Sequence, residues 1–137
     1  VRADSTGRRL RALVVEDHLG SRTALAQLLE RRGYDVVVAE CGAQARHHAA
    51  LDKSDVFISD IGLPAKSDYE LLQEFRARYD LRGIALTGYG MEADVAQAEA
   101  AGFFSQLTKP VSIAALEMAL MAFHSRAESG RGIPTVL

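Results

Sequence analysis

The stretch 56–64, with the sequence Val-Phe-Ile-Ser-Asp-Ile-Gly-Leu-Pro, decides how the rest of the chain is interpreted. A short apolar run with β-branched residues, closed by a glycine and a proline, is typical of a fully buried parallel strand that ends in a turn. Asp60 then stands at the carboxyl end of that strand, where ligands bind in open α/β sheets. Because aspartate is also a common turn residue, its position alone leaves a purely structural role open.

The composition of the whole chain is that of a globular domain of ordinary size. The 137 residues are 48% hydrophobic and 25% charged, which suffices for one domain with a real core. The net charge of -2 predicts neither a nucleic-acid partner nor an anionic membrane surface. No apolar run approaches the roughly 20 residues of a membrane span. A single cysteine excludes an internal disulfide, so we expect a cytoplasmic location.

Apolar segments alternate with amphipathic ones on both sides of the stretch 56–64. This alternation predicts an α/β fold, with a parallel sheet, helices on both faces and right-handed crossovers. We expect a flexible N-terminal segment at 1–9, one domain at 10–125 and a flexible tail at 126–137. The predicted strands are 10–15, 34–39, 55–60, 84–87 and 103–108, and the predicted helices are 19–32, 42–51, 67–79, 91–101 and 112–125.

Polar side chains follow four of the five predicted strands. Glu16 and Asp17 follow the first strand, Asp60 ends the third, Thr87 ends the fourth, and Lys109 follows the fifth. Carboxyl ends of parallel strands share one edge of the sheet. In the strand order 2-1-3-4-5, the first and third strands are neighbours. We therefore expect the acidic pair to lie beside Asp60.

Three carboxylates in one place raise one another's pKa values, and a divalent cation removes the conflict. Mg²⁺ prefers oxygen ligands and keeps several waters, which leaves room for a phosphate oxygen. Asp60 would then act as the nucleophile on phosphorus and form an aspartyl phosphate. Lys109 would supply a compact positive charge to another phosphoryl oxygen, and Thr87 a neutral hydroxyl donor.

Four segments at these spacings resemble the receiver domains of two-component signalling. They are Leu-Val-Val-Glu-Asp at 13–17, Asp-Ile-Gly-Leu-Pro at 60–64, Ile-Ala-Leu-Thr-Gly-Tyr-Gly at 84–90 and Leu-Thr-Lys-Pro-Val at 107–111. The residues in the second and third segments are most similar to those of receiver domains in hybrid sensor histidine kinases. The resemblance spans nearly all of 9–125.

This resemblance implies a flavodoxin-like (βα)5 fold with a five-stranded parallel sheet in the order 2-1-3-4-5. It implies that Asp60 is the phosphoacceptor and that Glu16, Asp17 and the Gly62 carbonyl surround Mg²⁺ with it. It also implies a cis bond before Pro110. The expected partner is a sensor histidine kinase or a histidine phosphotransfer domain, and the expected role is signalling rather than that of an enzyme.

Two single positions and one four-residue segment depart from the family pattern. Glu16 stands where aspartate is usual, so we expect it to bind a metal through water. Ala-Lys-Ser-Asp at 65–68 replaces Gly-Met-Asp-Gly, which restricts the loop. Gln106 stands where many receivers carry a switching Tyr or Phe. Because it has no ring to bury, we expect a smaller or different rearrangement, which fits a phosphorelay role.

Two features leave alternatives open. Tyr89, two residues after Thr87, either covers the phosphorylation site against attacking water or is a solvent-exposed ring. The last helix has an apolar stripe for the core, predicted as Ile113, Leu116, Leu120 and Phe123. A second apolar face is either a docking face, for a homodimer or another domain, or scattered surface apolar residues; it comprises Ala114, Met118, Met121 and Ala122.

The sequence gives less support to other functions that use a similar pattern of residues. A haloacid-dehalogenase-type phosphatase needs a second aspartate where Gly62 stands. A flavodoxin needs a Ser/Thr-rich phosphate loop, and Glu16 and Asp17 would repel phosphate there. The Gly-rich loop of a P-loop enzyme is absent from the sequence. The serious alternative is a degenerate receiver that binds proteins without being phosphorylated.

Overall fold

The computed structural model describes residues 9–60, 65–87, 103–109 and 111–123, with the backbone alone at 65–69. These ranges contain five strands and four helices. The predictions for Gly62, Tyr89, Pro110 and the helix 91–101 lie outside them. The described elements are β1 (Arg11–Val15), α1 (Leu19–Arg31), β2 (Asp35–Ala39), α2 (Gly42–Leu51), β3 (Val56–Asp60), α3 (Ala65–Tyr79), β4 (Gly83–Thr87), β5 (Ser105–Thr108) and α4 (113–123).

The sheet has the predicted order, β2-β1-β3-β4-β5, and every pair is parallel. Val15 lies opposite Ser59, so β1 and β3 end at almost the same level. Thr87 lies opposite Thr108 in the same way. The register thus brings the residues that follow four strands to one edge of the sheet, as the flavodoxin-like topology requires.

The core consists of two layers, one on each face of the sheet. Along β3, Ile58 belongs to the layer under α1 and α4, whereas Phe57 belongs to the layer under α2 and α3. Side chains alternate between the faces of a strand, so a strand buried on both sides is apolar throughout. This explains why the sequence 56–58 shows no polar alternation.

Two of the described helix ends follow ordinary capping chemistry. Gly33 ends α1 with φ 91°, in the left-handed region that favours glycine. Ser112 caps α4, because the amide of Ala115 donates to its Oγ at 3.1 Å. The helix α3 begins at Ala65, two residues earlier than predicted, so Ser67 lies inside it.

Glycine at the start of β4 has a packing reason. A Cβ on Gly83 would lie 3.0 Å from Leu72 Cδ1 of α3 and 3.0 Å from the Phe103 ring. The strand therefore approaches α3 so closely that a side chain at this position would require Leu72 and Phe103 to shift. Strand boundaries differ from the predicted ones by one or two residues, since pairing in the sheet, rather than apolar content, sets where a ladder begins.

The buried stripe of α4 begins later than predicted. Leu116, Leu120 and Phe123 are buried as expected, but Ile113 is 46% exposed and Ala119 is buried instead. The buried positions 116, 119, 120 and 123 follow the i, i+3, i+4, i+7 spacing of one helix face, and Ile113 precedes the first of them. Within the described ranges, no helix combines the length and apolar character that crossing a bilayer demands.

Candidate functional site

The acidic residues predicted at the sheet edge do lie together. One carboxylate oxygen from each of Glu16, Asp17 and Asp60 lies within 4.8 Å of the other two. Glu16 is only 1% exposed, and the Asp60 side chain is 10% exposed, whereas Asp17 is open to solvent. Because β1 and β3 are neighbours in the sheet, Asp60 lies beside an acidic pair more than forty positions earlier in the chain.

Lys109 closes the cluster from the other side. Its Nζ donates to Asp60 Oδ2 at 2.7 Å and to both oxygens of Glu16, at 3.2 and 3.0 Å. Its backbone amide donates to the carbonyl of Thr87 at 2.7 Å, which extends the pairing of β4 and β5 by one residue. That bond holds the start of the lysine side chain at the sheet edge.

Burial and the neighbouring charges set the protonation of this cluster. Burial of the carboxyl raises the pKa of Glu16 to about 7; Asp60 also raises it, and Lys109 lowers it. Burial opposes the charge of Lys109, but its hydrogen bonds to Asp60 and Glu16 outweigh that effect and raise its pKa. The lysine is therefore a firmly charged ammonium that partly compensates the carboxylates.

The donor set fits a hard divalent cation. All three acidic residues offer oxygen atoms, the ligands that Mg²⁺ prefers. When ionised they carry three negative charges, and Lys109 contributes one positive charge, which leaves two negative charges. A divalent ion would balance these two charges, and exposed Asp17 leaves one side of the cluster open to solvent.

Thr87 and Gln106 lie near this edge but do not join the cluster. The Thr87 side chain is buried, and its hydroxyl donates to the carbonyl of Leu107 at 3.5 Å. Gln106 is half-buried on β5, opposite Ala85. The structure therefore places the threonine at the end of β4 as predicted, with its hydroxyl engaged by the neighbouring strand.

Two contributors to the site escaped the sequence analysis. His18, an exposed residue, is the N-cap of α1: its Nδ1 accepts from the Ser21 amide at 3.3 Å, and its own amide donates to Glu16 Oε1 at 3.3 Å. Arg22 is buried and donates to the carbonyl of Glu16 at 3.0 Å. An arginine five residues after an acidic pair is the sequence signal that could have suggested the second contact.

The exposed face of α4 is as predicted from the sequence. Met118 is 72% exposed and Met121 is 62% exposed. Ala114 and Ala122 are exposed on the same helix.

The described part of the chain also has a cleft of about 290 Å³, lined by residues 49–54, Tyr79 and Leu81. It lies at the amino ends of β3 and β4, away from the carboxylates.

The fold and this acidic edge define a class of signalling domain, and comparison with known proteins identifies the family. Residues 12–121 match the model of the response regulator receiver domain. The chain belongs to this family. A crystal structure of a response regulator receiver domain protein from Clostridium thermocellum is similar, with a TM-score of 0.76 and 27% identity, covering 87% of this chain and 97% of that one. The signal receiver domain of an HD domain-containing protein from Pseudomonas fluorescens is also similar, with a TM-score of 0.79, 28% identity and coverage of 89% and 99%.

Three curated relatives with similar sequences are longer proteins. The transcriptional regulatory protein PdtaR of Mycobacterium tuberculosis is 31% identical, over 82% of this chain and 58% of its own length. The aerobic respiration control protein ArcA of Escherichia coli is 36% identical, over 72% of this chain and 41% of its own length. The sensor histidine kinase RcsC of Salmonella typhi is 31% identical, over 87% of this chain and 13% of its own length. The chain thus spans little more than half of these relatives at most.

Proposed function

We propose that this chain is the phosphoacceptor domain of a two-component phosphorelay, in which Asp60 takes a phosphoryl group from a phosphohistidine. The observation that carries the proposal is the 2.7 Å contact of Lys109 Nζ with Asp60 Oδ2, beside two further carboxylates. A nucleophilic oxygen, a fixed positive charge and a set of hard oxygen ligands are the parts that phosphoryl transfer requires.

The transfer forms one bond and breaks one. A carboxylate oxygen of Asp60 attacks phosphorus, the phosphorus–nitrogen bond to the histidine breaks, and its electron pair returns to the imidazole nitrogen. Lys109, already in contact with Asp60, would donate to an oxygen of the phosphoryl group that arrives there. Thr87, at the end of β4, would supply a hydroxyl donor after giving up its contact with Leu107.

Mg²⁺ fits as the resident cofactor of this site. Glu16, Asp17 and Asp60 would hold it, and the carbonyl of Gly62, outside the described residues, is the fourth predicted ligand. When bound, it supplies positive charge that offsets the negative charge of the nucleophile and of the transferring group. Glu16, whose side chain is one methylene longer than that of the usual aspartate, is proposed to bind the cation through a water. Both of its carboxylate oxygens already accept hydrogen bonds from Lys109.

Acetyl phosphate provides a direct test without a partner. We expect intact-mass spectrometry to show one added phosphoryl group in the presence of Mg²⁺ and none with EDTA. Asp60→Asn should abolish the addition, and Asp80→Asn should not, because Asp80 is exposed, remote from the cluster and left-handed at φ 52°, which Asn tolerates. An unmodified wild-type protein would favour the alternative, a receiver that binds proteins without phosphorylation.

We propose a sensor histidine kinase or a histidine phosphotransfer domain as the phosphoryl donor. The family and the resemblance to the sensor histidine kinase RcsC support this choice. Phosphotransfer profiling against candidate kinases would identify the donor.

The exposed α4 face of Ala114, Met118, Met121 and Ala122 is proposed as the contact with a second copy. Limited proteolysis should trim the chain to about 10–125 if the proposed domain boundaries hold.

A further inference from the structure

We infer that Arg22 of α1 is a positioning residue for the proposed cation site, because it fixes the peptide that carries Glu16 and Asp17. Its Nη1 donates to the carbonyl of Glu16 at 3.0 Å and to the carbonyl of Asp17 at 3.4 Å. Its Nη2 pairs with Glu40 Oε1 at 3.4 Å. The inference rests on the proposed Mg²⁺-dependent function and concerns a residue that touches neither the cation nor the phosphoryl group.

The contacts of Glu16 show what Arg22 adds. The backbone amide of Glu16 donates to the carbonyl of Ala39 on β2 at 3.0 Å. Its side chain is held by Lys109. The carbonyl is the remaining polar group of this buried residue, and Arg22 supplies its partner, as a buried carbonyl requires. With all three groups engaged, the carboxylate has little freedom to turn out of the cluster.

The position of Arg22 is unfavourable for the helix itself. It is the fourth residue of α1, in the first turn, where the positive end of the helix dipole repels cations. That turn contains no acidic residue to compensate. The guanidinium is nevertheless buried, with its side chain only 11% exposed. A charge placed against the helix dipole and away from water points to a role in the adjacent loop rather than in helix stability.

The geometry of arginine suits this role better than that of lysine. One nitrogen spans two successive carbonyls, and the other reaches across to the residue after β2. A guanidinium has five donors in a rigid plane, whereas an ammonium is a single point. Outer partners that orient metal ligands commonly change metal affinity about 10- to 100-fold when they are removed. We therefore expect removal of Arg22 to weaken the binding of Mg²⁺.

Titration of the purified chain with Mg²⁺ alone, followed by calorimetry, tests this. Arg22→Met should weaken Mg²⁺ binding by about tenfold or more. The matched control is Arg32→Met, which removes a partly buried arginine at the opposite end of α1, paired with Glu117 on α4. It should leave the affinity within twofold of wild type. Equal affinity of Arg22→Met and wild type, or equal losses in both variants, would overturn the inference.

Two further variants separate the contacts and guard against loss of folding. Glu40→Gln removes the ion pair but keeps the carbonyl contacts, so we expect an affinity within twofold of wild type. Arg22→Lys keeps the charge and should bind Mg²⁺ at least threefold more weakly. An unchanged affinity in Arg22→Lys would contradict the inference even if Arg22→Met does not fold.

The outcomes also distinguish this inference from the proposed function. If wild type binds Mg²⁺ but acetyl phosphate leaves Asp60 unmodified, the phosphoacceptor role is wrong. The positioning role of Arg22 is then still decided by the Mg²⁺ affinities of the variants. If wild type does not bind Mg²⁺ at all, both the cation site and the positioning role are wrong. Because Arg22→Met leaves the buried carbonyl of Glu16 without this donor, thermal unfolding in EDTA must show that the variant is folded at the temperature of the titration.

Discussion

Lys109 binds Glu16 through both oxygens of that carboxylate, at 3.2 and 3.0 Å, and binds Asp60 through one oxygen at 2.7 Å. A single ammonium thus compensates two of the three carboxylates that would hold a cation. Because Lys109 and a divalent ion are attracted to the same oxygens, they compete for them. The lysine should therefore oppose metal binding and yet promote phosphoryl transfer.

Lys109→Met tests these opposite effects. Removing the ammonium should tighten Mg²⁺ binding severalfold, because two carboxylates lose their competing partner. It should slow phosphorylation by acetyl phosphate by about 100-fold, the usual order for loss of one group that stabilises developing charge. Calorimetry and intact-mass kinetics measure the two effects. Lys53→Met, at an exposed position, is the control, and parallel changes in affinity and rate would contradict the prediction.

The raised pKa of Glu16 predicts a pH dependence of stability in the metal-free protein. The folded carboxyl has a pKa of about 7, chiefly through burial, against 4.5 when unfolded, so the folded state binds more protons between these values. Stability should then fall as pH rises through this window, by roughly 3 kcal/mol. Lys109, whose pKa is raised, stays charged throughout.

Urea unfolding in EDTA at pH 5, 6, 7 and 8 measures that fall. Glu16→Gln cannot ionise, so its stability should lose the downward slope that wild type shows between pH 5 and 8. Glu70→Gln, on the exposed side of α3, should retain it. Parallel curves for wild type and Glu16→Gln would show that this carboxyl does not titrate in the window.

Gln106→Tyr tests the predicted limit on conformational change. Gln106 is half-buried on β5 and has no ring to bury when Thr87 moves. We expect phosphorylation to produce larger amide shifts along β4 and β5 in Gln106→Tyr than in wild type, by nuclear magnetic resonance. Gln27→Tyr, on an exposed position of α1, should behave as wild type. Unchanged shifts in Gln106→Tyr would count against the hypothesis.

Gly83→Ala probes the close approach of β4 to α3. The added methyl would lie 3.0 Å from Leu72 and Phe103, so side chains must shift, at a cost of about 1–3 kcal/mol. Gly42→Ala is the matched control, because its methyl would meet only Arg46 Nη1 at 3.8 Å. Chemical denaturation should show a loss in Gly83→Ala alone, and equal stabilities would indicate that the strand relaxes freely.

Met118→Glu with Met121→Glu tests the proposed contact of α4 with a second copy. Both side chains are more than half exposed, so charges there should not disturb the monomer. If this face mediates self-association, sedimentation should show weaker dimerisation in the double variant than in wild type. Ala24→Glu, on an exposed position of α1, is the control. A wild type that is monomeric at high concentration would remove the proposal.

The sequence predicted most of the fold because the relevant signals are local. The apolar run 56–58, the leucines of α1 and Gly33 specify a buried strand, an amphipathic helix and its end from neighbouring residues alone. The alternation of such segments limits the topology to a few arrangements. The predicted start of α3 and the predicted burial of Ile113 were wrong, because the first turns of these helices depend on what packs beside them.

By itself, the sequence determined which side chains reach the edge of the sheet: Glu16, Asp17, Asp60, Thr87 and Lys109 each follow or end a strand. Only the tertiary structure decided how they share their contacts. Lys109 bridges Glu16 and Asp60, and Arg22 turns back to the carbonyl of Glu16. The physical reason is that strand order sets proximity, whereas burial and competition for hydrogen-bond partners act across elements distant in the chain.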